Sequence, residues 1–278
     1  MMQPEYLKWL TKEKDVIFDN GKSLFCYEID YDEEESILDD WALHLRRHYI
    51  SDEELEEDSE ELNLPVEDYL RKYIIPQKTD PMGGTARSNT ISEILFSDLL
   101  EFVYNYEVPR CRQYNMSGKT LSEHGTDIIG FKFHNLDKSP SEKDKLMAVE
   151  VKAQLTSKST NPIEDAVLDS VKDEYRVSIT LNYMRKKLKM MGKTNVAEDV
   201  LRFQKKTKEG YNYKLRYIGA GISSLDNIPE KKVNEKTMKV IPNIEGDKLQ
   251  IKTGTAVFYV HGRKLMDLAH EVYERCKK

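Results

Sequence analysis

Apolar positions recur along this 278-residue chain with two different periods, and the change of period divides it. In the first part the spacing is helical: Leu38, Trp41, Ala42, Leu45 and Tyr49 form one apolar face. Ser51 and Glu54 fit a capping box that opens an acidic helix to about residue 62, and Pro65 suits the first turn of another over 66–73. Residues 77–87, with Pro81, Gly83 and Gly84, predict a loop and a soft boundary. Ser88 is a candidate cap for a helix with Ile91, Ile94, Leu95, Leu99 and Phe102 on one face. Beyond it the pattern becomes partly extended, at 107–114 and then in two strand candidates, 127–133 (DIIGFKF) and 145–155 (KLMAVEVKAQL), with a polar turn between them. Asn161-Pro162 opens a long helical region to about residue 191, and a further helix covers 196–206. Stretches 211–224, 238–242 and 256–260 read as extended, and a closing helix carries Leu265, Leu268, Ala269 and Val272. The order predicts an α/β protein: a mostly helical N-terminal region, 1–87, followed by a core, 88–278, with a central mixed sheet between helices.

The strand over 145–155 carries the chemistry. Side chains alternate between the faces of a strand, so Met147, Val149, Val151, Ala153 and Leu155 share one wholly apolar face. Leu146, Ala148, Glu150, Lys152 and Gln154 share the other. A carboxylate, an ammonium and an amide thus stand in a row beside a core, where unpartnered charge is costly. A hairpin between the two strands brings Asp127 close to Glu150. Two converging carboxylates repel unless a cation lies between them, and a hard divalent ion such as Mg²⁺, or Mn²⁺ in its place, answers that need. Lys152 points to the same side, where it can orient an attacking water and stabilise charge on a phosphorane, so the set describes metal-dependent phosphodiester hydrolysis. Glu93 is a further candidate, as metal ligand or general base. E-x-K alone is a weak signal, since it recurs at Glu230-Lys231-Lys232 in an apparent loop. The competing reading is a Glu–Lys pair on the solvated face of an edge strand, with Glu93 an exposed helical residue.

Charge is unevenly distributed. Residues 30–69 hold 17 acidic and two basic side chains, whereas 176–216 hold 12 basic and three acidic ones. A net charge of −6 argues against a protein that coats nucleic acid by itself. A local patch of Arg185, Lys186, Lys187, Lys189, Lys205 and Lys206, interleaved with Tyr183, Tyr211 and Tyr213, suits contact with a phosphate backbone without sequence readout. Solvated helix ends, favoured by the helix dipole, are the competing account of the same residues, and the position of the patch after the two strands favours nucleic acid. The acidic region either solvates, docks a basic partner or shields the patch. Cys26, Cys111 and Cys276 are scattered and read as reduced thiols, and the histidines show no zinc-ligand spacing alongside cysteine, which argues against a structural zinc site. No apolar run spans a bilayer and no signal-peptide core opens the chain, so a soluble cytoplasmic protein without a membrane partner is expected.

Taken in order, the segments HLRRHYISDEEL, SNTISEILFSDLLEFV, GTDIIGFKF, AVEVKAQL, DAVLDSVKD and VHGRKLMDLAHEVYER resemble the HamA family, nuclease subunits of the bacterial Hachiman anti-phage defence system. The resemblance runs from about residue 41 to residue 275. It implies a restriction-endonuclease-like fold of the PD-(D/E)xK superfamily, with the D…E-x-K site at Asp127, Glu150 and Lys152, the helix glutamate at Glu93 and Gln154 in support. Thr126 stands where the superfamily's name has Pro. It also implies a heterodimer with a superfamily 2 helicase subunit, HamB, that restrains the nuclease until foreign or damaged DNA is sensed. Cleavage of DNA with little sequence specificity is the expected activity. A non-catalytic DNA-binding module of the same fold and an RNA-directed nuclease are the competing expectations.

Overall fold

The computed structural model describes residues 2–17, 23–121, 123–156, 162–170, 173–205, 211–225 and 256–277. Its strands make one mixed sheet. β1 (Leu10–Lys12) and β2 (Val16–Ile17) both pair antiparallel with β3 (Ser23–Ile29). β4 (Ile128–Lys132) pairs antiparallel with β5 (Lys145–Gln154), and β5, β6 (Lys214–Ser224), β7 (Ala256–Gly262) and β3 run parallel, giving the order β1-β3-β7-β6-β5-β4 with β2 beside β3. Before the β4–β5 hairpin come α1 (Glu35–Tyr49), α2 (Asp52–Glu61), α3 (Val66–Tyr69) and α4 (Gly83–Asp98). α5 (Pro162–Ser170), α6 (Asp173–Met190) and α7 (Thr194–Gln204) lie in the crossover from β5 to β6, and α8 (Leu265–Arg275) closes the fold.

Parallel strands covered on both sides must be apolar on both, and alternation delivers this. Tyr27, Val149, Val151, Ile218, Ile222 and Val260 pack in one core with α1, α4 and α8. From the opposite face, Leu146 and Ala148 pack with Val177, Leu181 and Leu188 of α6 and Ala197, Val200 and Phe203 of α7, while Leu24, Cys26, Val257 and Tyr259 pack with Ile163 and Val167 of α5. The mixed α/β architecture is the one expected, and the strands predicted at 127–133 and 145–155 are β4 and β5. The predicted apolar face of α1 is buried, and the capping box is present: Glu54 N–H donates to Ser51 Oγ (3.1 Å) and Ser51 N–H to Glu54 Oε2 (3.2 Å).

Other expectations need correction. The N-terminal region, expected to be mostly helical, also supplies residues 10–12, 16–17 and 23–29 as β1, β2 and β3 of the same sheet. The boundary placed at residue 87 falls inside α4. That helix starts at Gly83, behind Met82 in the left-handed region (φ 60°), so Ser88 is not a cap; its carbonyl instead accepts a hydrogen bond from Ser92 Oγ (2.7 Å). The long helical region expected from Pro162 contains α5 and α6. Of the 107–114 stretch, Glu107 alone pairs among the described residues, as a bridge to Phe131. The strand expected at 238–242 lies outside the described residues. Cys26, Cys111 and Cys276 are buried and free. No helix among the described residues is long and apolar enough to cross a membrane.

Candidate active site at the hairpin

Asp127 directly precedes β4. The register Ile128↔Val149 carries it alongside Glu150, and its Oδ2 accepts the Val151 N–H (2.8 Å). Thr126 is fixed from the other side, its N–H donating to Thr180 Oγ1 of α6 (3.0 Å). On β5, Glu150 and Lys152 share the face that Leu146 and Ala148 present to the second core. Lys152 Nζ donates to Glu150 Oε1 (2.9 Å) and pairs with Asp169 Oδ2 on α5 (2.7 Å). α5 comes that close because β6 offers no side chain beneath it. Gly219 and Gly221 lie in register with Glu150 and Lys152, and an added Cβ would stand 2.9 Å from the backbone nitrogens of Val167 and Ile163 respectively. Any larger residue there pushes away the helix that carries Asp169.

Glu93 arrives from the opposite layer, on α4. It is buried, and its Oε2 accepts from Arg112 Nε (3.1 Å) and Gln113 Nε2 (2.9 Å). Arg112 reaches across to Asp127 Oδ1 (3.0 Å) and also donates to the Thr126 and Glu123 carbonyls (3.0 and 2.8 Å). Arg176 of α6 stands 3.5 Å from Glu150 Oε2. Asp127, Glu150, Lys152, Glu93 and Gln154 all line one cavity of about 580 Å³, so the structure brings together every predicted residue of the catalytic set. Gln154 donates to the carbonyl and hydroxyl of Thr156 (3.1 and 2.7 Å).

The electrostatics follow from crowding acids in a dry place. Burial raises the Glu93 carboxyl above the ordinary range, opposed by Arg112 and reinforced by Asp127 and Glu150. Burial likewise raises Asp127, against the pull of Arg112 and the Val151 N–H. Glu150 is raised by burial and then by the charge of Asp127. Burial works against the Lys152 ammonium, but its hydrogen bonds to Asp169 and Glu150 prevail and raise its pKa. Glu93, Glu123, Asp127, Glu150 and Asp165 outnumber the cations Arg112, Lys152 and Arg176 around the cavity. An excess of oxygen-donor carboxylates is the donor set of a hard divalent cation, so the residues fit one.

Sequence reasoning missed Arg112 and Asp169. Arg112 lies in the 107–114 stretch read as extended, of which Glu107 bridges to Phe131, and Asp169 is one of several acids in its helix; both act through contacts that no local pattern encodes. The basic stretch divides. Lys186 and Lys189 are exposed on the last turns of α6, and Lys205 is exposed just past α7. Arg185 is half-buried and donates to Asn182 Oδ1 (3.2 Å). Lys187 does not belong to a phosphate-contacting patch. It is buried and donates to the Arg112 carbonyl (3.0 Å) and the Tyr183 hydroxyl (2.6 Å), bracing the loop behind the site. Lys206 lies outside the described residues.

A mixed sheet flanked by helices, with D…E-x-K side chains gathered at a hairpin, is consistent with a nuclease-like α/β fold. The HamA family model matches residues 4–276, and the chain belongs to that family, a component of the Hachiman anti-phage defence system. No curated protein matches the chain.

Proposed function

We propose that the chain is a Mg²⁺-dependent deoxyribonuclease whose active site is the hairpin cavity. The observation that carries this reading is the convergence of Asp127, Glu150 and Glu93, with Lys152, on one cavity lined by more acids than bases. Asp127 and Glu150 would hold Mg²⁺, or Mn²⁺ in its place. When bound, such an ion polarises a scissile phosphate and lowers the pKa of bound water. Lys152, kept charged by Asp169 and Glu150, orients the attacking water and offsets charge gathering on the phosphate. Glu93, with its pKa raised by burial, is suited to take up the water's proton as general base. Gln154 supports the rim of the cavity, and Lys186, Lys189, Lys205 and Arg185 follow the substrate backbone without reading its sequence.

Within this reading the chain works with a superfamily 2 helicase, HamB, that holds the nuclease in check. The exposed acids of α2, among them Glu53, Glu56, Glu57, Glu60 and Glu61, form a surface suited to a basic partner face. The experiment is digestion of labelled DNA and RNA by the purified chain and by its complex with the helicase, with Mg²⁺ or with EDTA. Loss of DNA only with Mg²⁺ is expected. DNA that survives every metal-containing condition, or RNA degraded in preference, contradicts the proposal.

A further inference from the structure

We propose that His44, His48 and Asp98 form a second metal site, which takes one zinc-like divalent ion and ties α1 to α4. His44 and His48 are one turn apart on α1 and project from the same face. Asp98 is the last residue of α4. All three are buried, Asp98 completely. His44 Nε2 lies 3.0 Å from Asp98 Oδ2 and 3.3 Å from His48 Nε2. Among the described residues, this is the one group of three metal-ligating side chains whose ligand atoms all lie within 4.8 Å of one another. A tetrahedral zinc with ligand bonds near 2.0–2.2 Å sets its ligand atoms roughly 3.3 Å apart, close to the 3.0 and 3.3 Å separations that His44 makes with Asp98 and His48.

A proton count leads to the same place. Three lone-pair atoms, His44 Nε2, His48 Nε2 and an Asp98 oxygen, face one another. One N–H fits between the two rings. If it sits on His48, the bare His44 nitrogen faces the Asp98 carboxylate; if it sits on His44, it serves the carboxylate and His48 Nε2 at once. A cation at the centre satisfies all three. The outer contacts are those a ligating carboxylate needs: Arg110 Nη2 lies 2.7 Å from Asp98 Oδ1, and the Tyr6 hydroxyl donates to Oδ2 (2.5 Å). The Arg110 charge, which opposes a cation, is offset by Glu101 at 2.6 Å. Two imidazoles and one carboxylate select Zn²⁺ over Mg²⁺, which separates this site from the hairpin cavity. The ion would hold the end of the helix that carries Glu93, just over one turn upstream.

The untagged full-length chain, purified without chelator, is expected to carry about one equivalent of zinc by plasma mass spectrometry, as a structural site does. Glu150→Ala retains it, whereas His48→Gln and His44→Gln lose it. Co²⁺ loaded into the chelator-stripped chain is expected to show the intense visible bands of a four-coordinate site, with the three side chains and one water as ligands. A wild-type chain that holds no zinc and takes up no equimolar Co²⁺ overturns the proposal. So does a folded His48→Gln chain that keeps its full equivalent. Should both histidine variants fail to fold, the zinc content and Co²⁺ spectrum of the wild type decide.

Discussion

Glu150→Gln is expected to lower DNA cleavage by about 1,000-fold, and Lys152→Ala by about 100- to 10,000-fold, while neither change unfolds the chain. The two effects separate because the site is built against its own stability. Glu150 is 5% exposed and is forced up in pKa by burial and by Asp127, so an amide of the same shape relieves a repulsion. Its loss leaves Lys152 with Asp169 still 2.7 Å away. Thermal unfolding of Glu150→Gln should therefore match or exceed that of the wild type, with cleavage gone. Initial rates on plasmid DNA, read beside a melting curve for each variant, check this. Wild-type rates in both variants would move the active site elsewhere.

The largest expected loss of stability comes from Asp144→Ala. Asp144 is fully buried at the foot of the β4–β5 hairpin. It accepts from His134 N–H (2.7 Å), Ser141 N–H (3.3 Å) and the Tyr211 hydroxyl (2.6 Å), and pairs with Arg202 (2.9 Å). Truncation leaves two backbone donors, a hydroxyl and a guanidinium without their acceptor in a part-buried place. The expected cost is about 3–5 kcal/mol, or a fall of roughly 10 °C in melting temperature for a chain of this size. Arg202 also stacks on Phe133 and Tyr211 (4.6 and 5.0 Å to the ring centres) and donates to the Lys138 carbonyl, so its side chain stays packed but without a carboxylate. Cleavage should fall too, because the hairpin that aligns Asp127 with Glu150 loses its anchor. Chemical denaturation of the wild type and the variant measures the difference; a change below about 1 kcal/mol would show that the anchor is dispensable.

The hairpin was legible because its signals are local. Strand alternation in 145–155 fixed the face of Glu150 and Lys152, and a short polar connection made antiparallel pairing with 127–133 the simple topology. Glu93 was legible as a candidate but not as a neighbour of Asp127, since the two are joined by Arg112, a contact that the extended reading of 107–114 does not encode. The strands β1 to β3 escaped for a different reason. β1 and β2 are too short to show alternation, and β3 is an inner strand apolar on both faces, with Leu24 and Cys26 on one side and Phe25, Tyr27 and Ile29 on the other, a pattern that periodicity does not separate from a buried helix. Lys187 misled because sequence shows that a lysine is charged, not that its ammonium caps the Arg112 carbonyl. His44 and His48 went unread as ligands because their companion is an aspartate 54 residues away from His44 rather than a nearby cysteine.

Calorimetric titration of Mn²⁺ into the zinc-loaded chain tests the central claim most directly. Wild type and Lys152→Ala should each bind one ion, and the double variant Asp127→Asn/Glu150→Gln none. Binding by the double variant equal to that of the wild type, or no binding by the wild type, would contradict a divalent ion held between those two carboxylates.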